Sequence, residues 1–217
     1  MLLPAVLAAA AIGILGSAAT HGLRSAAPPP PAGARYRLQD LTPAIRARTF
    51  TFAGVAPADQ QAFLTAVASA RPAAQRLIGL VDGLVTVRIG PTGGQSVGLT
   101  QETADGHFDV TLDFATVFPQ MGQRGIDRVV LHELGHVVDF ALLPDSLTRR
   151  LDAEIPAGYG CDDGVTGGCA APAERFAETF AKWATGDLGF DLYIGYKVPP
   201  PSVSLDEWGA PLASFAS

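Results

Sequence analysis

Residues 126–142 of this chain, IDRVVLHELGHVVDFAL, restrict its fold more than any other segment. Val129, Val130, Leu131, Leu134, Val137 and Val138 make a helix here apolar over most of its circumference, so the helix has to be buried. Yet it also carries His132, Glu133, His136 and Asp139. On a helical wheel set at His132, His136 falls at about 40°, Glu133 at about 100° and Asp139 at about −20°. The four polar groups therefore share one arc of roughly 120°. Burying them unpaired is costly, so the fold has to supply a metal ion or a hydrogen-bond network.

The spacing favours the metal. Positions i and i+4 lie one turn apart on the same face, so both imidazoles can reach one ion. Glu133 is too far round the helix to join them as a ligand, but it can lean over a water on that ion. In this His-Glu-x-x-His arrangement the metal is zinc (Zn2+) and the glutamate is a general base. A pattern of five residues also arises by chance, and a His/Glu pair on a solvated helix needs no metal. The apolar surroundings argue against that reading. Past the N-terminal region the only histidines are His107, His132 and His136, and two of them belong to the motif.

The chain has 217 residues, 48% hydrophobic and 17% charged, which is enough for one domain with a proper core. A net charge of −6 with no basic cluster argues against a nucleic-acid partner. Residues 2–19 carry no charge, and Ser17-Ala18-Ala19 offers small residues where an export peptidase reads. Residues 1–19 are therefore expected to be a signal peptide. A basic n-region is missing, and the alternative is an anchor: residues 2–19 just suffice to tether the chain to a membrane. Either way the remainder is secreted or extracytoplasmic. Residues 20–35, with prolines at 28 to 31, read as an extended Pro-rich linker, and the globular domain as 36–217. Cys161 and Cys169 bracket a glycine-rich segment and are expected to pair in an oxidising compartment, which stabilises a fold by roughly 2–3 kcal/mol. Metal ligation by these cysteines is the alternative, and it lacks the C-x-x-C spacing.

Alternation predicts strands over residues 48–52 and 84–89, and a further strand in which Phe108, Val110, Leu112 and Phe114 alternate with Asp109, Thr111 and Asp113. This last strand reads as a sheet edge that could accept an extended peptide, or as an ordinary edge kept soluble by its carboxylates. Residues 57–81 read as a helix kinked or split by Pro72, residues 145–154 as a short helix, and residues 173–185 as a helix opened by Pro172 and closed by Gly186. The fold class is α+β, a small mixed sheet packed on helices. The tail, with Phe190, Tyr193, Tyr196 and Trp208, receives no role.

Two histidines do not complete a catalytic zinc site, which takes three protein ligands and an open fourth position. A third histidine six residues on is ruled out, because Asp139 and Leu142 occupy the glycine and histidine positions of that signature. Asp139, one turn past His136, suits a supporting role behind the ligands. The preferred source is Ala173-Glu174-Arg175-Phe176-Ala177-Glu178, where Glu174 and Glu178 lie i and i+4 on one helix. Two like charges on one face fit a nearby cation. They fit equally a solvated acidic face offset by Arg175 and Lys182.

HELGHVVD followed by AERFAETF resembles the anthrax lethal factor-like zinc peptidases, which include secreted Pro-Pro endopeptidases. The likeness covers residues 126–185 and is carried by the two motifs. It implies a zincin-like fold with the cleft between two motif helices, His132, His136 and Glu174 as zinc ligands, Glu133 as base, and Glu178 as a carboxylate behind the ligands. It also implies a tyrosine, here Tyr159, whose hydroxyl assists the oxyanion, although the cysteine loop between Tyr159 and Glu174 departs from the family pattern. The expected activity is zinc-dependent hydrolysis of a peptide or protein substrate. The rival expectation is an exported binding or surface protein that keeps the fold and a structural metal but turns nothing over, and an intact Glu133 speaks against it. A third reading gives the weight to a membrane-tethered stalk around the prolines.

Overall fold

The computed structural model describes residues 50–93, 96–103, 106–156, 171–189 and 198–216. The expectations for residues 1–19, 20–35 and 48–49, and those for Tyr159, Cys161, Cys169, Tyr193 and Tyr196, fall outside the described residues. Within them the order is β1 (Thr51–Phe52), α1 (Pro57–Ser69), α2 (Pro72–Val81), a 3-10 turn (Asp82–Leu84), β2 (Val85–Ile89), β3 (Gly98–Glu102), β4 (Phe108–Leu112), α3 (Phe114–Leu142), α4 (Asp145–Ala153), α5 (Pro172–Thr185) and α6 (Leu205–Phe215). The fold is α+β, with six helices and a small mixed sheet among the described residues.

Pro72 does split the first helical stretch. A proline ring lacks an N–H and clashes with the preceding turn. Ala70 and Arg71 accordingly adopt extended ψ angles of 153° and 151°, and Pro72 opens a second helix. Phe63, Leu77, Ile78 and Val81 from this pair are buried against the sheet residues Val87, Val110 and Leu112.

The sheet order is β1-β2-β4-β3, with β1, β2 and β4 parallel and β3 antiparallel to β4. The strand expected at the edge, β4, therefore lies inside the sheet. Its alternation was read correctly for the faces: Phe108, Val110 and Leu112 are buried while Asp109 and Thr111 are half-buried. A face pattern carries no information about neighbours in the plane of the sheet, and that is why the edge was misplaced. Among the described residues the edges are β1 and β3, and the sequence of β3, GLTQE, has no apolar alternation to announce it. Its ladder with β4 holds it, with Gly98 opposite Leu112 and Thr100 opposite Val110. The predicted strand also stops short of Phe114. Asp113 caps a helix instead, its side chain accepting from the Thr116 amide at 3.0 Å and the Thr116 hydroxyl at 2.8 Å.

Helix α3 begins upstream of the apolar run, and Gly122, at φ 59° and ψ −154°, interrupts it. Only glycine takes that conformation without strain. The segment after Gly122 carries the polar arc and packs against α1 and, most extensively, α5. The two helices meet at Gly135. A Cβ there would lie 3.1 Å from the Ala177 Cα and 3.2 Å from the Phe180 ring, so glycine is what lets the axes come this close. Gly186 closes α5 in the left-handed region, as its sequence indicates.

The tail braces α5 from behind. Trp208 is buried, its indole N–H donates to the Leu151 carbonyl at 3.1 Å, and its ring lies 5.8 Å from that of Phe176. Lys182 is fully buried and donates to the Val198 carbonyl. No helix of the described residues is long and apolar enough to cross a membrane.

Candidate metal centre

The close contact at Gly135 sets two faces together: the arc of α3 with both histidines, and the face of α5 with Glu174 and Glu178. Glu174 Oε2 lies 3.2 Å from His132 Nε2 and 3.4 Å from His136 Nε2. Ligand atoms of His132, His136 and Glu174 all fall within 4.8 Å of one another, the one such group of three among the described residues. The donor set suits zinc, which binds nitrogen and carboxylate oxygen at about 2.0–2.1 Å. Four ligands at that radius in a tetrahedron stand roughly 3.3–3.4 Å apart. The separations from Glu174 to each ring lie near that value, and the two rings' ligand atoms lie within 4.8 Å of each other, so the three groups could hold an ion.

Glu178 sits on the other side of His132. Its Oε2 lies 3.2 Å from His132 Nδ1, so the two edges of one imidazole face two carboxylates from the same helix. The Nδ1 contact fixes the ring's rotation and leaves Nε2 for the ion. Glu178 is itself buried, with Arg128 Nη1 3.6 Å and Lys182 Nζ 3.7 Å from its Oε1. Arg128 Nη2 also donates to the Asp187 carbonyl at 2.8 Å. Two cations beside one carboxylate offset the cost of burying it.

The electrostatics of the metal-free site are those of a place prepared for positive charge. Burial alone pulls the His132 pKa down, but hydrogen bonds to Glu174 and Glu178 and the charge of Glu133 outweigh it and raise the pKa to about 10. Burial pushes Glu174 upward, and the charge of His136 with hydrogen bonds from both rings holds its carboxyl well below the usual range instead.

Glu133 is buried beside the triad and is not part of it. Its Oε2 accepts from the Thr100 hydroxyl of β3 at 2.7 Å. Asp139 is buried and accepts from the Thr148 hydroxyl of α4 at 2.8 Å. Burial pushes its carboxyl upward, which Thr148 and His136 partly offset. It therefore ties α3 to α4. His136 Nδ1 has no hydrogen-bond partner among the described residues. The ring of Phe140, 51% exposed, stacks on that of His136 at 5.7 Å and 20°. Arg175 forms a two-pronged pair with Asp152 at 2.8 and 2.6 Å. His107 is exposed in the β3–β4 connection, away from this group.

Sequence reasoning missed Arg128, Thr100 and Gly98. Arg128 had a signal, since it lies one turn before His132 and falls on the same arc of the wheel. Thr100 and Gly98 had none, because β3 itself was not recognised.

Comparison with protein families, with curated proteins and with solved structures finds no match for this chain. The likeness drawn from the two motifs therefore rests on those residues alone.

Proposed function

We propose that this chain is an exported, zinc-dependent endopeptidase of zincin type. One observation carries the reading: ligand atoms of two imidazoles and a carboxylate converge within 4.8 Å while a further glutamate, Glu133, is held beside them and outside the set. A purely structural site has no use for that glutamate. His132, His136 and Glu174 would hold the ion, with Glu178 fixing the His132 ring. Zinc in such a site acts as a Lewis acid and brings the pKa of water towards 7. Glu133 takes the proton of the attacking water on a carboxylate oxygen and passes it to the leaving amine. Tyr159 is proposed, on the family likeness alone, as a donor to the oxyanion.

The open edge of the sheet supports a peptide substrate. Among the described residues strand β3 ends the sheet, and it touches Glu133, so an extended peptide adding to its outer side would run past the base. Edge pairing with an extended peptide, expected of the strand over residues 108–114, is thus assigned to the neighbouring strand β3. Export rests on the sequence of residues 1–35 and on the cysteine pair.

Digestion of a peptide library by zinc-stripped and zinc-loaded protein tests the reading. Cleavage that appears only with zinc is expected. A chain that binds one zinc and cuts nothing would favour the non-catalytic binding protein.

A further inference from the structure

Strand β3 contributes no residue to the His132, His136 and Glu174 group, yet two of its residues fit themselves to one side chain of α3. Gly98 and Thr100 are two apart and so face the same way. A Cβ on Gly98 would lie 2.1 Å from Glu133 Oε1, 2.7 Å from its Cδ and 2.8 Å from its Cγ. The carboxylate thus occupies the space that any other residue at position 98 would fill. Thr100 closes the arrangement from the next outward position. Its Oγ1 lies 2.7 Å from Glu133 Oε2 and 3.2 Å from the Glu133 carbonyl, so its single proton goes to the nearer carboxylate oxygen.

We infer that Thr100 and Gly98 are positioning residues for Glu133: the threonine hydroxyl holds one carboxylate oxygen, and the glycine leaves room for the other. This deepens the peptidase reading and rests on it. A glutamate side chain has three rotatable bonds, and a general base works only within hydrogen-bond reach of its proton. Fixing Oε2 on an edge strand removes that freedom and leaves the lone pairs of Oε1 for the water. Because β3 also ends the sheet among the described residues, a peptide added to it would be seated by the strand that sets the base. Substrate register and base position are then referred to one piece of backbone.

Two measurements separate this inference from the activity it serves. The first needs neither zinc nor turnover: a double-mutant cycle on thermal unfolding of the zinc-free chain with Thr100→Val, Glu133→Ala and both. A hydrogen bond to a charged group predicts that the double variant departs from the summed single shifts by about 2–4 °C or more. Additive shifts would overturn the clamp, whatever the enzyme does. The second uses zinc-loaded protein and a peptide that the wild type cuts. Thr100→Val should lower kcat about 10 to 100-fold with zinc content and KM little changed, and Thr100→Ser should restore most of it. Gly98→Ala should lower kcat as well with the threonine intact, because the carboxylate has to move. A coupled pair with unchanged kcat in Thr100→Val would overturn the positioning role. Failure of the wild type to cut any peptide would refute the peptidase reading and with it the catalytic purpose of the clamp, while the cycle still decides whether the clamp exists.

Discussion

At the scale of single residues, the site turns on which carboxylate meets which face of His132. Glu174 faces Nε2 of both rings and Glu178 faces Nδ1 of one. Glu174→Ala should therefore abolish zinc binding or weaken it severely, while Glu178→Ala costs about 10 to 100-fold, as read by competition with a chelator. The reverse ranking would place the ion a turn further along α5. A pH effect follows from the same contacts. The folded pKa of His132 is raised from 6.5 to about 10, so its contribution in the zinc-free chain is fully present below 6.5 and is lost as pH rises through 10. Glu174 is shifted downward, so its contribution is present above 4.5 and is lost as pH falls below that value. The melting temperature of zinc-free protein should accordingly fall on both sides of this window, and His132→Gln should flatten the alkaline side. Zinc uptake at pH 8 should also release about one proton, since imidazole ligates in its neutral form. Calorimetric titration in two buffers of different ionisation enthalpy reads that number, and a value near zero would mean that His132 is already neutral.

At the scale of elements, α3 and α5 make the site because glycine stands at their crossing. Gly135→Ala puts a methyl group 3.1 Å from the Ala177 Cα and 3.3 Å from its carbonyl oxygen, neither of which can give way alone. The helices have to part by a few tenths of an ångström, which should cost about 1–3 kcal/mol of stability and carry Glu174 away from the histidines. Unchanged melting and unchanged zinc affinity in this variant would show that the contact is looser than described. These two helices were also the most legible elements in the sequence. The i, i+4 pairs, Pro172 and Gly186 are local signals, and local signals survive into the fold. The sheet was legible only in part. Asp109 and Thr111 told which face of β4 is wet, but the order of strands is decided by pairing between distant segments, which no local pattern records. Strand β3 went unseen for the same reason, and Thr100 and Gly98 with it.

At the scale of the whole molecule, the chain places its polar chemistry where apolar packing converges. The sheet and α1 bury one side of α3, α5 covers another, and the tail helix holds α5 in place through Trp208 and the buried Lys182. The role of the tail was hidden in the sequence because Trp208 acts through α5, by its ring contact with Phe176, and contributes no chemistry of its own to the site. Buried charge in such a frame is stable only when each group answers another: Glu178 with Arg128 and Lys182, Glu174 with both imidazoles. Glu133 is held differently: its carboxylate accepts from the Thr100 hydroxyl, and its charge bears on His132 from outside the ligand set. The central claim is therefore best tested on Glu133→Gln, by measuring bound zinc and peptide cleavage on the same preparation. The account predicts about one zinc per chain, as for the wild type, with cleavage reduced by orders of magnitude. Cleavage at the wild-type rate with zinc retained would contradict it.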